Sequence, residues 1–187
     1  MIENRENEWQ ELETKVEHII NNPRFLPKDE TTKQFIPTLH LWISPTFSSD
    51  KHWIFYNPRV QINPQPKPRI RQLIWQKQVD QKRLFDPLIG LKEGFHTEPT
   101  FEIKTIEIER ELFDKFHIEL AKIKFPPFIK DEILGLDGEH FGVETLGSYH
   151  SARIFWWSSY PEEWQELVGW FENVRKFLEG NFSNLIN

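Results

Sequence analysis

The chain has 187 residues, a formal net charge of -6 and no cysteine, which excludes disulfides, thiolate nucleophiles and Cys-ligated zinc. The acidic balance speaks against a general nucleic-acid binder, because neutralising phosphates needs clustered cations. The opening stretch MIENRENEWQELETKVEHII is heavily charged and has no apolar core of signal-peptide length, and no run approaches the ~18 apolar residues of a membrane span, so we expect a cytoplasmic protein.

Within residues 1–21, Trp9, Leu12, Val16, Ile19 and Ile20 recur at helical spacing, and Asn21, Asn22 and Pro23 end the helix. Residues 22–34 read as a loop. Phe35 to Ser44 reads as a strand, TFSSDK as a turn and Trp53 to Ile62 as a second strand, with Pro58 pointing to an edge or a bulge. NPQPKP is an extended proline-rich connection. Arg69 to Val79 reads as a third strand, 80–98 as irregular chain, and Thr100 to Ile108 as a fourth strand. There Phe101 and Ile103 share a face before the spacing slips toward Ile106 and Ile108, a bulge signal.

Leu112, Phe113, Phe116, Leu120 and Ile123 mark a helix over 109–124, closed by Pro126-Pro127. Asp137-Gly138 is a turn signal. Phe141 and Val143 alternate with polar partners on a strand, TLGSYH is a hairpin loop, and Ser151 to Ser158 is the return strand. Pro161 opens a helix over 160–179, with Trp164, Leu167, Val168, Phe171, Val174, Phe177 and Leu178 as its stripe and Gly180 as its cap. The order α-ββββ-α-ββ-α implies one α+β domain over 1–187. It comprises an antiparallel sheet of about six strands within 35–158 and three helices on one of its faces. With 16 Phe and 8 Trp, its core is aromatic.

Several constellations bear on function. His140 and Glu144 lie on one strand, just after Asp137 and Glu139, and form a candidate acid–base or metal site. Four residues of strand span about 13 Å, too far for two ligands of one ion, so other segments must contribute; the plain reading is a solvated strand face. His96, Glu98 and Glu102 are a second polar candidate, which requires a carboxylate crowded or buried enough to shift its pKa. Ser148 and His150 lack a nucleophile elbow around the serine, and GLDGEHFG lacks the phosphate-loop pattern. No cofactor and no metal are expected. Phe155, Trp156 and Trp157 are consecutive, so their rings point to both faces of a strand, and Trp42 and Trp53 raise the same question. Such rings either pack the core or anchor an interface. Between Lys51 and Arg83 there are eight Lys/Arg and one acid, and Lys67, Arg69 and Arg71 share one face at a spacing of two. They read as a charged edge that discourages pairing, or as a patch for an acidic partner or an RNA backbone.

The stretch LDGEHFGVETLG, followed by ARIFWWSSYPEEWQELVGWFENVRKFLE, resembles the C-terminal part of small uncharacterised bacterial proteins, some assigned as immunity proteins of toxin systems. The shared outline is Asp137-Gly138, Phe141, Trp156-Trp157, Pro161 and Trp164, over about 45 residues. The resemblance implies a protein-binding module and brings no catalytic residues. The leading expectation is therefore an immunity-type inhibitor with a protein partner, an acidic binder meeting a basic surface. The alternative is an enzyme or small-ligand pocket built from His and carboxylate residues. A second alternative is an RNA-associated protein using 51–83. No membrane association is expected.

Overall fold

The structure, a computed structural model, describes residues 2–22, 33–46, 49–59, 64–86, 98–126, 138–147 and 151–184. In chain order it comprises α1 (Ile2–Asn21), β1 (Phe35–Pro45), β2 (Lys51–Pro58), β3 (Arg69–Trp75), α2 (Lys77–Phe85), β4 (Phe101–Glu107), α3 (Arg110–Lys122), β5 (Glu139–Leu146), β6 (Ser151–Trp156), a 3-10 turn (Glu162–Trp164) and α4 (Gln165–Ser183). The fold is α+β. All six strands form one antiparallel sheet in the order β4-β3-β2-β1-β5-β6.

Strand periodicity assigns the faces. Leu39, Leu41, Ile43, Trp53, Phe55, Ile70, Phe141, Val143 and Trp156 point to one face, where α3 and α4 bury Phe113, Phe116, Leu167, Val168, Phe171, Val174 and Leu178 against them. Phe171 meets Trp156 edge-on at 5.1 Å and Phe141 edge-on at 5.8 Å, the geometry that ring quadrupoles favour. The opposite face carries Phe35, Ile54, Tyr56, Leu73 and Trp75, covered by Val16, Ile19 and Ile20 of α1. Helices thus lie on both faces, not on one. The reason is visible in β2, where His52 to Tyr56 is buried at every position, so neither face of the central strands can meet water.

Four α-helices occur among the described residues, one more than the sequence suggests. The third strand stops at Trp75, and Lys77–Phe85 is helical. This helix has no apolar stripe: only Asp80 and Leu84 are buried on it. Its anchor is a carboxylate. Asp80 Oδ2 accepts hydrogen bonds from Trp75 Nε1 and from the Thr100 backbone N–H, both at 2.8 Å. Other expectations also need correction. β4 pairs with β3 in unbroken register, and the irregularity falls in β1 between Pro37 and Leu39. Pro58 ends an interior strand. Gly180 lies inside α4, which continues to Ser183. No helix among the described residues is long and apolar enough to cross a membrane.

Candidate functional site

On the α1 face, the half of the sheet built from β1, β5 and β6 carries polar side chains. Register sets them in rows. Arg153, Glu144 and His40 are cross-strand neighbours, as are Phe155, Gly142, Trp42 and His52, and then His140 and Ser44. Two adjoining cavities, of about 500 and 530 Å³, open between this face, α1 and α2. They share Ser44, Asp50, Trp75, Lys77 and His140. Gln78, Gln81 and Trp157 add to the first, and Glu13, Glu17, Trp42, His52 and Arg153 to the second.

Two buried histidines lie beneath the second cavity. His40 is 0% and His52 5% exposed, and His40 Nε2 stands 3.0 Å from His52 Nδ1. His40 Nδ1 faces Glu144 Oε2 at 3.6 Å, and neither atom has a hydrogen-bond partner. His52 Nε2 is buried and unpartnered as well. Burial pushes the pKa of His40 down, against the upward pull of Glu144. That of His52 is pushed well down, by burial and then by its neighbours His40 and Arg153. Both rings are therefore neutral at neutral pH.

The surrounding groups hold this pair in place. The Trp42 ring sits 5.1 Å from the His40 ring and 4.8 Å from the Arg153 guanidinium. Arg153 Nη2 donates to Asn21 Oδ1 at 2.7 Å, tying β6 to the end of α1. Ser44 Oγ donates to Asp50 Oδ1 at 2.7 Å, and burial pushes the Asp50 carboxyl up. Lys77 lies 3.3 Å from Glu13 and over the Trp75 ring at 5.2 Å.

The residues singled out from sequence fall in different places. His140 and Glu144 share the cavity face: His140 lines both cavities, and Glu144 faces His40. Glu98 pairs instead with Lys15 at 3.4 Å. Glu102 engages Lys104 at 2.6 Å and Gln76 at 3.1 Å, away from this pair. Asp137, His96, Ser148 and His150 lie outside the described residues. Trp53 and Trp156 belong to the core and present no ring to a partner, because their strand faces meet α3 and α4. Trp42 is buried at the site, Trp157 is half-buried beside His140, and Phe155 is the outward ring of its triplet at 67% exposure.

The basic row is not a charged edge. β3 is interior, and Arg69 meets Glu107 at 2.7 Å, Lys67 contacts Glu109, and buried Arg71 reaches Thr105 at 3.4 Å. The sequence reading missed His40, His52, Asp50, Lys77 and Arg153. The signal for the histidines was a polar residue set within the apolar runs LHLW and KHWIFY.

Among the described residues no group of three His, Asp or Glu is placed to hold a metal ion. What the arrangement offers is a buried, neutral imidazole on a residue of a polar cavity wall, able to accept a hydrogen bond. Comparison of the chain with protein-family models, with curated proteins and with solved structures finds no match.

Proposed function

We propose that the protein binds a small polar ligand in the paired cavities between α1, α2 and the β1–β5 face, with His52 as the group that meets it. One observation carries this reading: His52 Nε2 is a buried polar atom without a partner, on a residue that lines the cavity. A buried acceptor left unpaired costs about 1–3 kcal/mol, a cost that a bound molecule removes. Convergent polar groups among aromatic walls are the usual make-up of such sites.

The test is a panel of small polar metabolites screened by ligand-observed NMR against the native protein and Glu17→Trp, an exposed α1 position on the cavity rim. Binding to the native chain that disappears in the variant is the expected result. A panel with no binder, or binding indifferent to the added ring, refutes the reading.

A second reading, a protein-binding module of immunity type, is supported by a different observation. β6 is an outer strand of the sheet and carries Phe155 at 67% exposure. Edge strands accept partner strands, and an exposed ring beside one is a natural anchor. This reading requires that a partner captured by the native chain be lost with Phe155→Asp and kept with Glu17→Trp.

A further inference from the structure

Two imidazole nitrogens 3.0 Å apart share one hydrogen. In a neutral ring one nitrogen donates and the other accepts, so the direction of this bond is set by what the outer nitrogens face. His40 Nδ1 faces Glu144 Oε2 at 3.6 Å, and each of the two atoms lacks any other partner. A carboxylate can only accept. The hydrogen of His40 therefore sits on Nδ1, turned toward Glu144, and Nε2 is left as an acceptor. His52 must then donate from Nδ1, which strips its own Nε2 of hydrogen. That nitrogen is the one with no partner, on a residue lining the cavity.

We infer that Glu144, His40 and His52 form a one-way relay, a 3.6 Å carboxylate–imidazole contact followed by one hydrogen bond, that leaves Nε2 of the cavity-lining His52 unprotonated, and that the ligand class the cavity takes is a molecule offering this nitrogen an O–H or N–H and no oxyanion. The inference rests on the cavity reading above and names the chemistry of its ligand. Glu144 and His40 act as positioning residues; of the three, His52 is the one that touches the ligand.

The charges around the cavity agree with that class. Glu13, Glu17 and Asp50 line it against Lys77 and Arg153. Of those two cations, Lys77 lies 3.3 Å from Glu13, and Arg153 is engaged by Asn21 at 2.7 Å and by the face of Trp42. An oxyanion would meet surplus acid and a lone pair, whereas an alcohol or amide finds acceptors on several sides. Trp75 and Trp157 add indole surface for its apolar part.

Long-range proton–nitrogen NMR on isotope-labelled full-length protein at neutral pH reads the tautomers directly. Both histidines are expected neutral, with hydrogen on Nδ1 and a bare Nε2 at His52. A hydrogen on His52 Nε2, or a cationic ring at either position, overturns the relay. Glu144→Gln allows an amide N–H to face His40 Nδ1, so reversed or mixed tautomers are expected; unchanged tautomers in a folded variant remove Glu144 from the relay. If that variant does not fold, the native measurement still decides.

The ligand class is tested on the same resonance. Titration with ethylene glycol or acetamide should move His52 Nε2 saturably, and acetate or inorganic phosphate should not. A shift with the anions and not with the donors, or no shift with any probe, overturns the class. The two levels separate cleanly. A metabolite that binds the cavity without moving His52 Nε2 sinks the inference and the role given to His52, and leaves the cavity as the binding site. Tautomers as stated, with no binder in any screen, leave the relay standing and remove both the cavity reading and the ligand class.

Discussion

Trp42 occupies the space where Gly142, its partner across β1 and β5, has no side chain: a Cβ at Gly142 would fall 1.9 Å from Trp42 Cζ2. The contact lets an indole lie low on the sheet, where it reaches His40 and Arg153. A glycine inside a strand commonly marks such an approach. Gly142→Ala must push the ring out of a packed site, which costs about 1–3 kcal/mol for ordinary overpacking. We expect the upper end of that range, read as a lowered urea midpoint, together with a changed tryptophan fluorescence as Trp42 moves. An alanine variant of native stability and spectrum would mean that the ring does not sit there.

Acid should destabilise the protein in the histidine range. His40 and His52 are held below the ordinary value of about 6.5, chiefly by burial. Below that pH the unfolded chain takes up protons that the folded chain refuses, so the free energy of unfolding falls as pH falls. The slope reaches about 1.4 kcal/mol per pH unit for each group. His117, pushed down by burial, acts in the same sense. Asp50, pushed up by burial, acts in the opposite sense and offsets part of the decline. Urea midpoints measured from about pH 7 to about pH 5 should decline steadily; a flat or rising series contradicts the burial of the pair.

Asp80 fastens α2 to β3 and to the residue before β4. Its carboxylate is 3% exposed and accepts from Trp75 and from the Thr100 backbone. Hydrogen bonds to a charged group contribute about 1.5–3 kcal/mol, and Asp80→Ala leaves two donors stranded. A loss of about 2–4 kcal/mol is expected, with amide exchange rising first over Lys77–Phe85. Loss of less than about 0.5 kcal/mol would show the anchor to be idle.

Charge removal on the outer rim should do little by comparison. Lys67 and Arg69 pair with Glu109 and Glu107 at the surface, and exposed pairs contribute about 0–1 kcal/mol. Lys67→Ala should leave the urea midpoint close to native. Because these cations already face acids, binding to RNA in low salt should be weak and unaffected by the substitution. A marked, salt-sensitive loss of RNA binding in Lys67→Ala would revive the basic segment as a contact surface.

The legible parts of the fold were those with a strong period. The stripe of α4 from Leu167 to Leu178 and the alternation around Phe141 and Val143 are plain in the residues. α2 was not legible, since an amphipathic pattern needs a buried apolar side and this helix buries only Leu84 with a carboxylate. Coverage of both faces was written in the unbroken burial of His52 to Tyr56, but alternation was read for one face alone. The site was half legible. His140 and Glu144 stood out as polar residues on a strand, yet their meaning depends on β5 lying beside β1, which places Glu144 opposite His40. That pairing joins strands far apart in sequence, and local pattern carries no information about it.

Neutron diffraction from crystals grown in heavy water, at neutral pH, is the most direct trial of the histidine pair. It should locate one deuteron on Nδ1 of His40, pointing to Glu144, one on Nδ1 of His52, pointing to His40, and none on the far nitrogen of His52. A deuteron on that far nitrogen would contradict the account, because the cavity would then be met by a donor in place of an acceptor.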